Sequence, residues 1–378
     1  MAYKYLKGSS TLVNKELYLA VCNGQLQNLK NLLESGVDVN VRIGRDHNTL
    51  LHYAPTVEIT KLLLSYGADV NVFNNDGMTP LFFAIIDNKG FDVVQQLLAH
   101  GADVNSRTSD GHTPLHFVPC LTDKNGLSVV RELLKYGANV NATDNDNATP
   151  LFFAVMCETN LEIIRELLLN GSDIDIKGRY PFLTRYFTPL DLAVDEEKIP
   201  YAKLIIKITL MKHFNEDYKK NLSLYMDAYA GSLDYKELAT FLENCCSEID
   251  KMKNNQINGN FSFYDFASTM KDTIKPLYAD RTITEKEVIA DYPLYHDVFW
   301  PNMKLCLERA DLLNKLSKLQ LYVGSPYPIQ NKCQKVFVNY DCLYTIGEYL
   351  SNDDLLNFIS GFDKVLNSLH IFRTTLWN

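Results

Sequence analysis

The sequence lacks the features expected of a protein that spans a membrane, binds nucleic acid or folds around disulfides. No apolar run approaches the ~20 residues that a membrane-spanning helix needs, and residues 1–10 lack the apolar core of a signal peptide. Acidic residues outnumber basic ones by 46 to 37, and the resulting net charge of −9 argues against a nucleic-acid partner. The eight cysteines are scattered without any C-x-x-C pair, so we expect reduced thiols and no zinc site.

Motifs that carry catalysis are missing as well. The chain has no glycine-rich phosphate loop, no H-E-x-x-H and no nucleophile elbow. His52 and His116 occupy equivalent places in a repeated motif, but Phe82 and Phe152 stand there in other copies, which a catalytic role would not predict. We therefore expect these histidines to form local hydrogen bonds that organise a turn. The prediction is a protein that is not an enzyme and that binds no metal and no cofactor.

One motif is repeated along the first half of the chain. Its Thr-Pro-Leu start recurs so that the prolines follow one another at intervals of 34, 36 and 39 residues. Threonine suits the N-cap of a helix and proline its first turn. In the first three of these copies a second apolar helix follows and ends at a glycine such as Gly101, a residue that favours the left-handed conformation at a helix end. Each copy is therefore predicted to be a helix pair that must stack on its neighbours to bury its apolar face.

The period and the T-P-L-H-x-A core of this motif resemble the ankyrin repeat. The resemblance implies an all-α fold, in which an ankyrin-repeat solenoid with a concave binding surface occupies residues 12–215. About six repeats are expected there, of which the first and the last are atypical. Residues 216–335 contain no repeat and are interpreted as a helical spacer or cap, with helices at 235–252 and 305–321.

The tips of the turns between repeats are the expected place for a bound target, because they vary from copy to copy. The turn at 178–187 is longer and more aromatic than the others. Its aromatic side chains either fold back onto the solenoid or form a contact loop, since Tyr, Phe and Arg are favoured at interfaces. The predicted target-binding residues are Arg45, Asp46, Asn75, Asp76, Ser109, Asp110, Asn145, Asp146, Tyr180 and Phe182.

The final segment, residues 338–378, carries a second pattern. Its leucine, isoleucine and Tyr-Leu residues at helical spacing, followed by Asp-Leu after a short turn, resemble an F-box. Asn339 stands where an F-box usually has proline, and Asp341 replaces the usual glutamate. The alternative is an ordinary capping pair of helices. If the resemblance holds, the residues that bind a ubiquitin-ligase adaptor subunit are Val338, Leu343, Ile346, Tyr349, Leu350, Leu355 and Leu356.

Together the two patterns resemble the poxvirus ankyrin proteins that end in a truncated F-box, often called a PRANC segment. The resemblance implies a substrate adaptor: the array captures a host protein of innate immune, NF-κB or cell-death signalling, and the last segment docks it onto the adaptor subunit and cullin of an SCF ubiquitin ligase. A monomer in the host cytoplasm is expected, with the nucleus as a second compartment and no nucleic-acid or membrane partner. The alternative is a non-catalytic inhibitor that sequesters a host factor without recruiting a ligase.

Overall fold

The described residues of the chain form two compact units. The computed structural model describes residues 12–120, 125–179, 185–214, 233–258, 261–268, 283–318, 320–323 and 334–337. The first unit comprises the described parts of residues 1–209 and 226–239, and the second comprises those of 210–225 and 240–378. The domain boundaries expected at residues 215 and 335 stay predictions.

An inner layer of helices, in which each helix packs against the next, runs through the first unit. From the third repeat onward each of these helices has threonine as its N-cap and proline in its first turn, as the sequence predicts. Their leucines at the Thr-Pro-Leu position are buried between neighbouring helices. The inner helices are α1 (Leu12–Cys22), α3 (Leu50–Tyr53), α5 (Pro80–Ile86), α7 (Pro114–Phe117), α9 (Pro150–Met156) and α11 (Pro189–Asp195).

A second layer of helices covers one side of the inner layer. The apolar stripe predicted for the third repeat is confirmed, because Val93, Val94, Leu97 and Leu98 are all buried. A short 3-10 helix, Val118–Cys120, follows α7. The outer helices are α2 (Leu26–Glu34), α4 (Val57–Ser65), α6 (Phe91–Ala99), α8 (Gly126–Lys135), α10 (Leu161–Leu169) and α12 (Ile199–His213).

Asparagine side chains connect the first five repeats in series, one at each of the four junctions between them. In one example, Asn71 Nδ2 donates to the carbonyl oxygen of Gly101 at 2.9 Å, and its Oδ1 accepts from the backbone N–H of Asp103 at 2.8 Å. The ladder stops at Asp175, because a carboxylate has no amide hydrogen to donate. The asparagines that make this pair of hydrogen bonds are Asn40, Asn71, Asn105 and Asn141.

The chain is predominantly helical, but the all-α prediction needs a correction. The described residues also contain two-stranded antiparallel sheets. The helix expected at 305–321 ends at Lys318, and residue 321 lies in a strand, which suits the aromatic and β-branched side chains of 320–323. The strand pairs are β1 (Gly178–Arg179) with β2 (Tyr186–Phe187), β3 (Gln256–Asn258) with β4 (Phe261–Ser262), and β5 (Gln320–Val323) with β6 (Gln334–Phe337).

The second unit is built around the end of a long helix. The buried carboxylate of Glu248 accepts backbone N–H groups of Leu294 at 3.0 Å and Tyr295 at 2.9 Å, and so satisfies donors just before the next long helix. Lys253 Nζ lies 4.2 Å from the ring centroid of Phe214 and 4.8 Å from that of Tyr264. The helices are α13 (Leu233–Asn254), which starts in the first unit, α14 (Phe263–Ser268), α15 (Glu285–Asp291) and α16 (His296–Lys318).

Candidate protein-binding surface

The turn tips between repeats lie in one continuous row, held together by backbone hydrogen bonds. The N–H of Asn75 donates to the carbonyl oxygen of Asp46 at 3.0 Å, and the corresponding bonds in the next three turns measure 2.8, 2.9 and 2.9 Å. The structure therefore brings eight of the predicted target-binding residues into one edge of the array. Tyr180 and Phe182 lie outside the described residues. Target binding at this edge stays a prediction.

Several side chains of the turn tips form hydrogen bonds to the neighbouring repeat. Asn75 Nδ2 donates to the carbonyl oxygen of Arg45 at 2.8 Å, and Asn145 Nδ2 donates to that of Ser109 at 3.0 Å. The Ser109 hydroxyl donates to the carbonyl oxygen of Asp76 at 2.9 Å. Because these polar groups are used within the scaffold, the exposed carboxylates of Asp76 and Asp110 are better placed to contact a partner.

A row of aromatic side chains lies on the inner helices, and the sequence analysis missed it. The row occupies the position after T-P-L-H in successive repeats, and every member is half-buried. Tyr53 and Phe83 make an edge contact with ring centroids 6.4 Å apart. The signal was present in the sequence, since the variable place of the motif is aromatic in four consecutive copies. This aromatic row consists of Tyr53, Phe83, Phe117 and Phe153.

His112 links the aromatic row to the tips. Its ring centroid lies 5.3 Å from those of both Phe117 and Phe153, and its Nε2 is 3.2 Å from Asp144 Oδ2 in the next repeat. Burial alone would raise the pKa of Asp144, but the hydrogen bond from His112 and the backbone N–H of Ala148 outweigh it and lower that pKa below its usual value. Asp144 is thus ionised at neutral pH and fixes the imidazole between the two rings.

The predicted structural role of His52 and His116 is confirmed. In each case the backbone N–H of the threonine N-cap donates to Nδ1 at 3.0 Å, which completes a capping box. Nε2 reaches a carbonyl oxygen of the next repeat at 3.1 Å: that of Met78 for His52, and that of Ala148 for His116. Burial lowers the pKa of each histidine to about 4, so both are neutral at physiological pH.

Two buried lysines close the turns that follow inner helices. Lys89 Nζ donates to the carbonyl oxygen of His52 at 2.5 Å and lies 3.5 Å from Asp87 Oδ2. Lys198 Nζ donates to the carbonyl oxygens of Val155 and Met156 at 3.0 and 3.3 Å. Burial lowers the pKa of Lys89, although Asp87 acts in the opposite direction. Each amine therefore satisfies carbonyl groups at the end of a helix, where a cation is favoured by the helix dipole.

Two further features are absent from the described residues. No group of three or more metal-ligating side chains is found among them. None of the helices in this part of the chain combines the length and the apolar character needed to cross a membrane. The predicted absence of catalysis, metal and cofactor stays a prediction. All the residues expected to bind a ligase subunit, and the whole segment 338–378, lie outside the described residues.

Comparison with known proteins identifies the repeats. The family model described as "Ankyrin repeats (3 copies)" matches residues 17–108 and 86–178. The ankyrin repeat protein FPV222 of fowlpox virus is 38% identical over 77 residues, which cover 20% of this chain and 10% of that protein. The fowlpox protein FPV031 is 41% identical over 71 residues, 17% of this chain and 20% of its own length.

A bacterial protein is similar to this chain over a segment of comparable length. An ankyrin repeat protein of Rickettsia bellii is 32% identical over 85 residues, 20% of this chain and 51% of that protein. The chain thus covers between a tenth and about half of the length of these relatives. Residues 17–178 therefore match ankyrin repeats, and two proteins of a poxvirus are among those similar to this chain.

Proposed function

We propose that the chain is a virus-encoded substrate adaptor that binds a host protein on the face formed by the aromatic row and the tips. The observation that carries this proposal is the alignment of four half-buried aromatic side chains on consecutive inner helices. Aromatic side chains bury a large area at little cost in conformational entropy, and they dominate the binding energy of many interfaces. The rigid stacking of the repeats presents them in a fixed order, so little reorganisation accompanies binding.

The second half of the proposal concerns the segment 338–378. Its support is the F-box-like pattern in the sequence, with an apolar stripe at Leu343, Ile346 and Leu350. A segment that binds the adaptor subunit of an SCF ligase would hold the captured host protein close to the ubiquitin-transferring machinery. Linking two binding events in one chain raises the effective concentration of target and ligase without any catalytic group in the adaptor. We place this activity in the host cytoplasm.

Substitutions in the aromatic row test the binding face. Phe117→Ser/Phe153→Ser should lose the host protein that co-purifies with the full chain from cells, because two of the four rings of the aromatic row are removed. A matched control is Tyr66→Ser/Tyr136→Ser, which removes two exposed aromatics, 38% and 42% exposed, from the ends of outer helices. Loss of the host protein in the control as well, or its retention in both variants, would contradict the assignment of the face.

A substitution in segment 338–378 distinguishes the proposed adaptor from the alternative, an inhibitor that only sequesters its target. Leu350→Asp should release cullin and the ligase subunit while the host protein stays bound, whereas Leu350→Met, which conserves volume, should keep all of them. The abundance of the bound host protein is the second readout. An adaptor lowers it in a proteasome-dependent way, and the effect should vanish in Leu350→Asp. A host protein that is bound at unchanged abundance, with no ligase subunit in any variant, would favour the inhibitor.

A further inference from the structure

Carboxylates border the aromatic row at the ends of the inner helices. In the third repeat, Lys89 Nζ lies 5.6 Å from the ring centroid of Phe83 and 3.5 Å from the Asp87 carboxylate, so the acid stands next to the row. In the fifth repeat, Phe153 is three residues before Met156, whose carbonyl oxygen binds Lys198. Lys198 Nζ in turn lies 3.6 Å from Glu158 Oε1, in the turn that follows this helix.

The negative charge near Phe153 is not balanced by the lysine beside it. Lys198 faces both Glu158 and Glu196, the latter at 2.6 Å, and Glu197 is exposed in the same turn. The side chain of Lys198 is only 9% exposed and its amine is taken up by backbone carbonyls, whereas that of Glu158 is 70% exposed. A partner arriving at this turn meets the carboxylates of Glu158, Glu196 and Glu197, whereas the ammonium group of Lys198 is inaccessible and the nearby Arg185 is paired with Asp195.

The edge formed by the turn tips carries charges of both signs, unlike the turns that contain Glu158 and Glu197. Exposed cations such as Arg45 and Arg179 alternate there with the aspartates, and Arg179 pairs with Asp146. Arg42 and Arg107 donate to backbone carbonyl oxygens in the same row of turns. Negative charge thus exceeds positive charge at the turns that follow the inner helices of the fifth and sixth repeats.

We propose that the partner segment lying on the aromatic row carries an arginine or lysine next to a large apolar side chain. The apolar group packs on Phe117 and Phe153, and the cation lies against the carboxylates of Glu158 and Glu197. A cation near an aromatic ring gains from the ring quadrupole as well as from the carboxylates, and a guanidinium group can satisfy both contacts. This inference rests on the proposed function, because it specifies the chemistry of the partner for the same face.

The probe for this inference is a random dodecapeptide library displayed on phage, selected on the full chain and counter-selected on Phe117→Ser/Phe153→Ser. Selected peptides should be enriched in Arg or Lys beside apolar residues. Their affinity should fall about three- to tenfold in Glu158→Gln/Glu197→Gln, since each exposed charge pair contributes modestly. The same affinity should weaken as salt is added.

The matched control removes two carboxylates from outer helices, Glu34→Gln/Glu58→Gln, and should leave peptide binding unchanged. Peptides without enriched cations, or an equal loss in both double variants, would overturn the inference while leaving the binding face intact. Peptides that bind Phe117→Ser/Phe153→Ser as well as the unaltered chain would instead show that the proposed face itself is wrong, and the inference would fall with it. Thermal melting of each variant checks that the fold is retained.

Discussion

Acid should destabilise the repeat array because two histidines are held neutral inside it. His52 and His116 are completely buried, and each accepts a backbone N–H at Nδ1 while Nε2 faces a carbonyl oxygen. Since the N–H can only donate and the carbonyl can only accept, the hydrogen of the neutral ring sits on Nε2. Protonation of Nδ1 would place a hydrogen against the threonine N–H and remove the capping bond.

The size of the effect follows from the two pKa values. The pKa of each histidine is about 4 in the fold, against 6.5 in the unfolded chain. Between these values the unfolded chain binds more protons, so the free energy of unfolding falls as the pH drops below 6.5 and the full loss is reached below 4. A difference of about 2.5 pH units corresponds to about 3 kcal/mol per histidine, of which about 2 kcal/mol is lost at about pH 5. For both residues that is about 4 kcal/mol, a large part of the ~5–15 kcal/mol that stabilises a typical domain.

Urea unfolding followed by circular dichroism at about pH 7.5 and about pH 5 measures this loss. In His52→Gln/His116→Gln each glutamine completes a Thr-x-x-Gln capping box without a titratable group, so the difference between the two pH values should shrink by about 4 kcal/mol. His100→Gln, at an exposed histidine, should retain the full pH dependence. If the double variant loses as much stability on acidification as the unaltered chain, the two buried histidines are not its acid-sensitive element.

Three further substitutions test the local physics of the repeats. Ser172→Ala should raise the free energy of unfolding, measured by urea titration, by about 1 kcal/mol. The buried hydroxyl has no hydrogen-bond partner among the described residues, and other repeats have alanine at this position. A loss of stability would contradict this prediction. Glu197→Gly should stabilise by about 1 kcal/mol, since φ is 55° at this residue, and a lower melting temperature would argue against strain. Asn105→Asp should cost about 1–3 kcal/mol of the free energy of unfolding, because the donor to the carbonyl oxygen of Gly137 is lost while the acceptor for the N–H of Asn139 is kept; an unaltered free energy of unfolding would refute the ladder.

Local sequence signals predicted most of the repeat architecture. Threonine N-caps, first-turn prolines and the apolar stripe of the second helix each depend on contacts within a few residues, so the sequence alone reveals them. The role of His52 was predictable for the same reason, because its partner Thr49 is three residues away. Its second bond, to the carbonyl oxygen of Met78, depends on how two repeats stack and could not be predicted from either repeat alone.

The features that were not predicted from the sequence depend on how neighbouring repeats stack, or on charged side chains that are buried against the usual tendency. The aromatic row exists because equivalent positions of neighbouring repeats come side by side, and no single copy shows it. The side chains of Lys89 and Lys198 are only 9% exposed although lysine is usually solvated, because they bind carbonyl groups of the preceding repeat and nearby carboxylates. The strand at residue 321 was mistaken for helix, since a short apolar stretch such as 320–323 suits both states.

The asparagine ladder also bears on how the array responds to force. Its rungs join the first five repeats in series, and the rung expected at Asp175 is absent. In an array stabilised by contacts between nearest neighbours, each junction carries the load through its own bonds. At the fifth junction these bonds come from the sixth repeat: Lys198 donates to the carbonyl oxygens of Val155 and Met156, and the Tyr201 hydroxyl donates to that of Thr159. Load on the array therefore passes through asparagine rungs in the first five repeats and through Lys198 and Tyr201 at the last junction.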